Sequence, residues 1–202
     1  MREQVETRPE QRRAPLAAGA RHVPSIWSFL VVDAAGFAIL FAIFLIERVQ
    51  QADAFSAAAD RLDARFGLAN TLILLTSGVL VAQAMECVRH ADGRAARRWV
   101  ATALAIGAAF ALVKVSEYHS DFSKGILPWS GDFFSFYFII TGIHFIHYLV
   151  GMAVLIVIYH KLGKGALDDD GFAFVESSIL YWHLVDLIWI AIFPIIYFKY
   201  IS

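Results

Sequence analysis

The sequence predicts an all-α integral membrane protein, and two observations support this prediction. First, 59% of the 202 residues are hydrophobic and 17% are charged, whereas about 45–50% of a typical soluble domain is apolar. Second, the charged residues gather in short stretches, and five apolar segments of about twenty residues or more lie between them. A helix of ~20 residues crosses the ~30 Å hydrocarbon core of a bilayer, so we expect a bundle of five transmembrane helices.

The five apolar segments are predicted to be helices rather than the strands of a membrane barrel. Backbone polar groups in lipid must be hydrogen-bonded within a helix or a closed barrel, and barrel strands are shorter and alternate between polar and apolar residues. These segments are apolar on all sides, as in LFAIFL and IWIAIFPII. Their predicted bounds are 26–46, 68–88, 99–118, 133–159 and 174–200.

The basic residues predict the orientation of the chain. The polar tail, residues 1–25, and the loops after the second and fourth segments carry about twice as many Lys and Arg residues as the other loops. Cytoplasmic loops carry this excess, so we expect the N-terminus inside, the C-terminus outside and a transmembrane domain over residues 26–202. Three consecutive aspartates at 168–170 fall in an inside loop, which we interpret as a solvated turn.

Charge, cysteine content and segment number narrow the functional classes. The net charge of −1 gives no reason to expect a nucleic-acid partner. The single cysteine, Cys87, excludes an internal disulfide and any site that needs several thiolates. Five segments cannot form the two equal inverted halves of many secondary transporters, and this argues against a small transporter.

Ionisable residues inside the apolar segments are the candidate functional residues, because a charge near the bilayer centre costs from a few to more than ten kcal/mol. These residues are Asp33, Lys114, Glu117, His144, His147, Glu176, His183 and Asp186. Three pairs among them are three residues apart and so share a helical face: Lys114 with Glu117, His144 with His147, and His183 with Asp186. Thr141 and Tyr148 extend the face of His144, and Trp182 and Trp189 share a face of the last segment. We expect these polar faces to meet inside the bundle.

Two alternative roles of these residues stay open. The spacing of His144 and His147 is compatible with a metal or haem site, which His119, His160 or His183 could complete, and would make the chain a stand-alone membrane enzyme. This spacing alone is an unspecific signal, and structural hydrogen bonding by buried histidines is the simpler interpretation.

The second alternative is a proton relay built from acidic residues and histidines, to which Asp33, Glu117 and Glu176 could contribute. Asp33 has no cation near it in the sequence. The simpler interpretation is that its protonated carboxyl group forms a hydrogen bond to a neighbouring helix.

Four motifs in order carry a resemblance to a known family. FFSFYFIITGIHFIHYLVGM at 133–152 and ESSILYWHLVDLIWIAIFPIIY at 176–197 are the longest, and the pair Glu117-Tyr118 and NTLILLTSG at 70–78 precede them. From about residue 26 to its end, the chain resembles subunit III of the haem–copper oxidases. It looks like the short form of that subunit, with five helices instead of seven. This form includes the NorE-type accessory proteins of nitric oxide reductase, and its usual Ser-Glu pair corresponds to Val32-Asp33 here.

The resemblance implies a non-catalytic, multi-pass subunit in the bacterial inner membrane. Such a subunit binds catalytic subunit I, which contains the haem and copper, has no redox cofactor or metal of its own, and contacts membrane lipids, with bound phospholipid possible. It would stabilise the catalytic subunit and support proton uptake during oxygen reduction, with the carboxylate of Asp33 connected to that uptake. The remaining matched residues would make interhelical polar or lipid contacts: Lys114, Glu117, Tyr118, Thr141, His144, His147, Glu176, Trp182, His183 and Asp186. A nitric oxide reductase accessory protein is the alternative.

Overall fold

The computed structural model describes residues 24–165 and 167–198, and these residues form six α-helices and no strand. The helices are α1 (Pro24–Gln50), α2 (Ala52–Ala59), α3 (Ala64–Arg89), α4 (Gly93–Ser123), α5 (Asp132–Leu162) and α6 (Asp169–Tyr197). All except α2 are long and apolar enough to cross a membrane. The predicted all-α fold with five membrane-spanning helices is therefore confirmed. The predicted tail falls outside the described residues up to residue 23, as does the predicted end of the last segment at residue 200.

The short helix α2 was not predicted from the sequence. Its eight residues, ADAFSAAA, are too few to cross a membrane. Phe55 anchors α2, because its buried ring lies 5.6 Å from the ring of Phe44 on α1 and 5.5 Å from that of Phe133 on α5. This helix therefore covers the end of the bundle where α1 ends and α5 begins.

Three aspartates set the starts of α3, α4 and α6, each of which begins several residues before its predicted bound. The side chains of Asp63, Asp92 and Asp168 accept hydrogen bonds from backbone N–H groups in the first turns of α3, α4 and α6. The three aspartates at 168–170 are exposed as predicted, but the predicted turn was wrong, because Asp168 caps α6 and the next two aspartates form its first helical turn. Negative charge at a helix N-terminus is stabilised by the unpaired N–H groups there.

Helix α6 is the central helix of the bundle, and α1 is peripheral. Helix α6 packs against α3, α5 and α1. In the most apolar stretch of α6, 50% of the residues are buried, compared with 17% in the corresponding stretch of α1. Close approach of α5 to α6 depends on Gly151. A Cβ atom at this position would lie 2.8 Å from Cε3 of the buried Trp182 ring, so only glycine admits the ring without displacement.

Candidate functional site

The most extensive polar cluster of the described residues surrounds the ammonium group of Lys114. This residue lies on α4 and is wholly buried. Its Nζ atom lies 3.0 Å from Oε2 of Glu117, which forms the ion pair that the three-residue spacing predicted. The same nitrogen lies 3.3 Å from the hydroxyl of Tyr137 on α5 and 3.2 Å from that of Tyr197 on α6. One buried cation therefore connects three helices.

The two tyrosine hydroxyls also contact the carboxylates of the Lys114 cluster. The hydroxyl of Tyr137 lies 2.9 Å from Oε1 of Glu117 and 3.0 Å from Oδ2 of Asp121, so it donates its one proton to either. The hydroxyl of Tyr197 donates to Glu117 as well. The contributions of Tyr137, Tyr197 and Asp121 were not predicted from the sequence. Hydroxyls within apolar segments would have indicated the two tyrosines, whereas Asp121 lies beyond the predicted end of its segment.

Two further hydrogen bonds join α4 to α5. Thr141 donates to the carbonyl oxygen of Tyr137 at 2.6 Å, so the Tyr118 hydroxyl, 2.8 Å from Thr141 Oγ1, acts as the donor of the second bond. Two turns further along α5, the hydroxyl of Tyr148 donates to the carbonyl oxygen of Gly107 at 2.8 Å. The predicted polar stripe of α5 therefore does face α4.

His144 does not form the interhelical hydrogen bond expected from the resemblance. Its imidazole is wholly buried, and neither ring nitrogen has a hydrogen-bond partner within the described part of the chain. Instead, its ring centroid lies 5.1 Å from that of Trp189 and 5.9 Å from that of Phe110. The expectation fails because aromatic rings flank the imidazole, and the Trp189 indole donates to Thr71.

Asp33 and His147 form a pair between α1 and α5. Nε2 of His147 lies 2.8 Å from Oδ1 of Asp33, and Nδ1 lies 2.8 Å from the carbonyl oxygen of Ile143. The carbonyl can only accept, so Nδ1 carries a proton; a second proton must lie between Nε2 and Oδ1. The side chains of Asp33 and His147 are 14% and 22% exposed. The pair thus holds a proton at the edge of the bundle, and Asp33 does contact a neighbouring helix.

The predicted residues of α6 are His183, Asp186, Glu176 and Trp182, and the last three contact neighbouring helices. Nδ1 of His183 lies 3.8 Å from Oδ2 of Asp186, so this pair lies within one helix and is not the expected interhelical hydrogen bond. Asp186 is buried against Gly78 of α3, where a Cβ atom would meet its carboxylate.

The other two predicted residues of α6 contact neighbouring helices. Glu176 lies 3.6 Å from Arg89, which places an ion pair between α6 and α3 near the end of the bundle. The indole of Trp182 is wholly buried against Gly151 of α5, and its Nε1 has no hydrogen-bond partner among residues 24–165 and 167–198. Trp182 therefore acts here by packing.

The histidines proposed as a metal or haem set do not come together. Within the described ranges, no three His, Cys, Asp or Glu side chains form a group that could hold a metal ion. His119 and His160, which were considered as completing ligands, are both exposed near the ends of their helices. His144 and His147 do not face a common site, because His147 faces Asp33 and His144 lies among aromatic rings.

Comparison with known proteins gives consistent matches along the chain. The family described as cytochrome c oxidase subunit III matches residues 60–200. Subunit 3 of the cytochrome bo(3) ubiquinol oxidase of Pseudomonas aeruginosa is 26% identical over 180 residues, which cover 89% of this chain and 86% of that protein. Cytochrome c oxidase subunit 3 of Corynebacterium diphtheriae is 29% identical over 192 residues, with 92% and 94% covered. A probable quinol oxidase subunit 3 of Staphylococcus epidermidis is 27% identical over 171 residues, or 85% of each chain.

Proposed function

The chain belongs to the cytochrome c oxidase subunit III family, and on this basis we propose that it is the non-catalytic subunit III of a bacterial haem–copper oxidase. It binds laterally to catalytic subunit I in the inner membrane and stabilises it. The observation that supports this proposal is the family match over residues 60–200. Relatives named as subunit 3 of oxidases also cover most of this chain and are themselves mostly covered by it.

In this proposal the Asp33–His147 pair supports proton uptake by the catalytic subunit. The pair holds a proton between a carboxylate and an imidazole, and both side chains are partly exposed at the edge of the bundle. A partly exposed pair can exchange its proton with a polar group or water molecule that reaches the edge of the bundle, which a fully enclosed pair cannot do without opening. The Lys114 cluster, in contrast, serves to hold α4, α5 and α6 together.

We place the haem and copper of the complex in the catalytic subunit. The histidines within the membrane-spanning helices have other contacts: His147 faces Asp33, His144 lies against Trp189, and His183 lies beside Asp186. Membrane lipids are the second class of partner in this proposal. Many large apolar side chains of the long helices are exposed, for example Leu112 and Val32 at 71% each.

Purification of the tagged chain from membranes in a mild detergent tests the proposal. We expect the catalytic subunit of an oxygen-reducing haem–copper oxidase in stoichiometric amount, identified by mass spectrometry and by its reduced-minus-oxidised haem spectrum. Recovery of a nitric oxide reductase catalytic subunit instead would support the accessory-protein alternative. Stoichiometric metal or haem in the isolated chain, without a catalytic partner, would make it a stand-alone enzyme and overturn the proposal.

A further inference from the structure

Two rows of exposed side chains form one surface on α3 and α6, which we call the His183 face. The face consists of Leu68, Leu72, Leu75 and Val79 of α3 and of His183, Leu187 and Ile190 of α6. Steps of three and four residues place each row along one side of its helix. All members except His183 are apolar, so the surface has a single ionisable group.

Contacts between α3 and α6 place the two rows side by side. Gly78 of α3 faces Asp186 of α6, and Trp189 donates a hydrogen bond to Thr71 at 3.1 Å. The two helices therefore run antiparallel, and they touch each other alongside the middle of both rows. Val79 directly follows Gly78 on α3, and His183 lies one turn before Asp186 on α6. Both side chains lie on the same exposed side of the two helices.

His183 lies at the middle of its membrane span. It is the fifteenth of the 29 residues of α6, so about 21 Å of helix lies on either side of it at ~1.5 Å per residue. The hydrocarbon core is ~30 Å thick, which puts the imidazole near its centre. Its side chain is 41% exposed, the largest exposed fraction among the eight candidate ionisable residues.

An exposed imidazole at this depth requires a hydrogen-bonding neighbour from outside the chain. Lipid tails offer no donor or acceptor, and unsatisfied polar groups in hydrocarbon are costly. Nδ1 is directed toward Asp186, which leaves Nε2 for an external group. A lipid headgroup cannot reach the bilayer centre without deforming the membrane, whereas a transmembrane helix carries side chains at every depth. The neighbour is therefore a protein helix.

We propose that the His183 face is the docking surface for a transmembrane helix of the catalytic subunit. That helix packs an apolar ridge against the two rows and presents one hydrogen-bonding side chain to Nε2 of His183 at mid-membrane. This inference rests on the proposed function, because it assigns the side on which the partner binds. It also places the partner next to α6, the most buried of the five spans.

Site-specific photocrosslinking in intact membranes tests the location of the docking surface. The photoreactive residue p-benzoylphenylalanine replaces Leu187 in one variant and Ile146 of α5 in the other. These positions are 64% and 61% exposed, and the contacts of Gly151 with Trp182 and of His144 with Trp189 bring residue 146 of α5 level with residue 187 of α6, so exposure and depth are matched. We expect a crosslink to the catalytic subunit from position 187 and none from position 146. The reverse pattern, or crosslinks from 187 only to lipid or to a second copy of this chain, would overturn the inference.

Substitution of His183 tests the polar contact. His183→Leu should lower the amount of catalytic subunit that remains bound after detergent washing several-fold, while His183→Gln, which keeps a hydrogen-bonding group, should retain more of it. Equal retention by both variants and the wild type would show that the imidazole makes no contact. If the wild-type chain captures no oxidase subunit, the proposed function fails; if it does but position 187 gives no crosslink to that subunit, only the docking surface is wrong.

Discussion

The Lys114–Glu117 and Asp33–His147 pairs both place a carboxylate beside a nitrogen base within the membrane-spanning helices, yet their surroundings differ. The side chains of Lys114 and Glu117 are each 1% exposed, and two tyrosine hydroxyls complete their hydrogen bonds. Asp33 and His147 are partly exposed, although Oδ2 of Asp33 is itself buried and has no hydrogen-bond partner in the described part of the chain. One pair is enclosed and the other is open.

The surroundings of a carboxylate in a membrane helix therefore decide whether partners on other helices enclose it or whether it stays accessible from outside the bundle. An enclosed pair is stable only when every charge and hydroxyl finds a partner, and loss of one partner leaves an uncompensated charge. An open pair on a peripheral helix contributes less to stability but can exchange protons.

The largest effect is expected from Lys114→Met. Removing the ammonium group leaves Glu117 and Asp121 without a cation in a buried site, which costs about 3–5 kcal/mol in comparable buried pairs. We expect the free energy of unfolding, measured by titration with dodecyl sulfate in mixed micelles, to fall by this order. A fall below about 1 kcal/mol would show that the cluster is not enclosed as the contacts indicate.

A double variant separates loss of charge balance from loss of packing at the same site. Lys114→Met combined with Glu117→Gln removes the cation together with one carboxylate charge. We expect the double variant to be more stable than Lys114→Met alone, because less uncompensated charge remains buried. The same unfolding titration measures the coupling between the two positions. Additive losses would contradict a direct ionic interaction.

A smaller loss of stability is expected where α5 approaches α6. In Gly151→Ala the new Cβ atom would meet the Trp182 ring at 2.8 Å, so one of the two helices must shift, at a typical cost of about 1–3 kcal/mol. Gly142→Ala on the same helix is the matched control, since a Cβ there meets nothing within 4 Å. Equal unfolding free energies of the two variants would show that α5 and α6 are not packed as closely as described.

Sequence reasoning predicted the spans well, because membrane helices are selected by length and apolarity alone. It also predicted which residues share a helical face, and so the pairing of Lys114 with Glu117. It could not predict partners on other helices, because those depend on packing angles that no local pattern encodes. Tyr137 and Asp33 show this limit: the first was overlooked, and the imidazole beside the second lies more than a hundred residues away.

The peripheral helix α1 is expected to depend on a contact at its end. The guanidinium group of Arg48 donates to the carbonyl oxygens of Ile195 and Phe198, both at 2.6 Å, where α6 ends. Arg48→Met keeps the apolar stem but leaves those carbonyls without the charged donor, a loss of about 1–2 kcal/mol. Hydrogen exchange should rise at the end of α1 and remain unchanged in α4. Unchanged exchange in α1 would show that other contacts hold this end.

The smallest effect on stability, and the most specific effect on function, is expected from Asp33→Asn. The amide can donate to Nε2 of His147 while Nδ1 still donates to Ile143, so the contact between α1 and α5 is kept and the unfolding free energy should change by less than about 1 kcal/mol. The amide cannot exchange a proton, however. The purified oxidase complex should therefore assemble normally but lose activity after fewer turnovers, as measured by oxygen consumption over time.

Asp33→Glu keeps the carboxylate and should behave as the wild type does. If Asp33→Asn and Asp33→Glu lose activity at the same rate, the Asp33–His147 pair is structural, and the distinction between an enclosed and an open pair has no functional meaning.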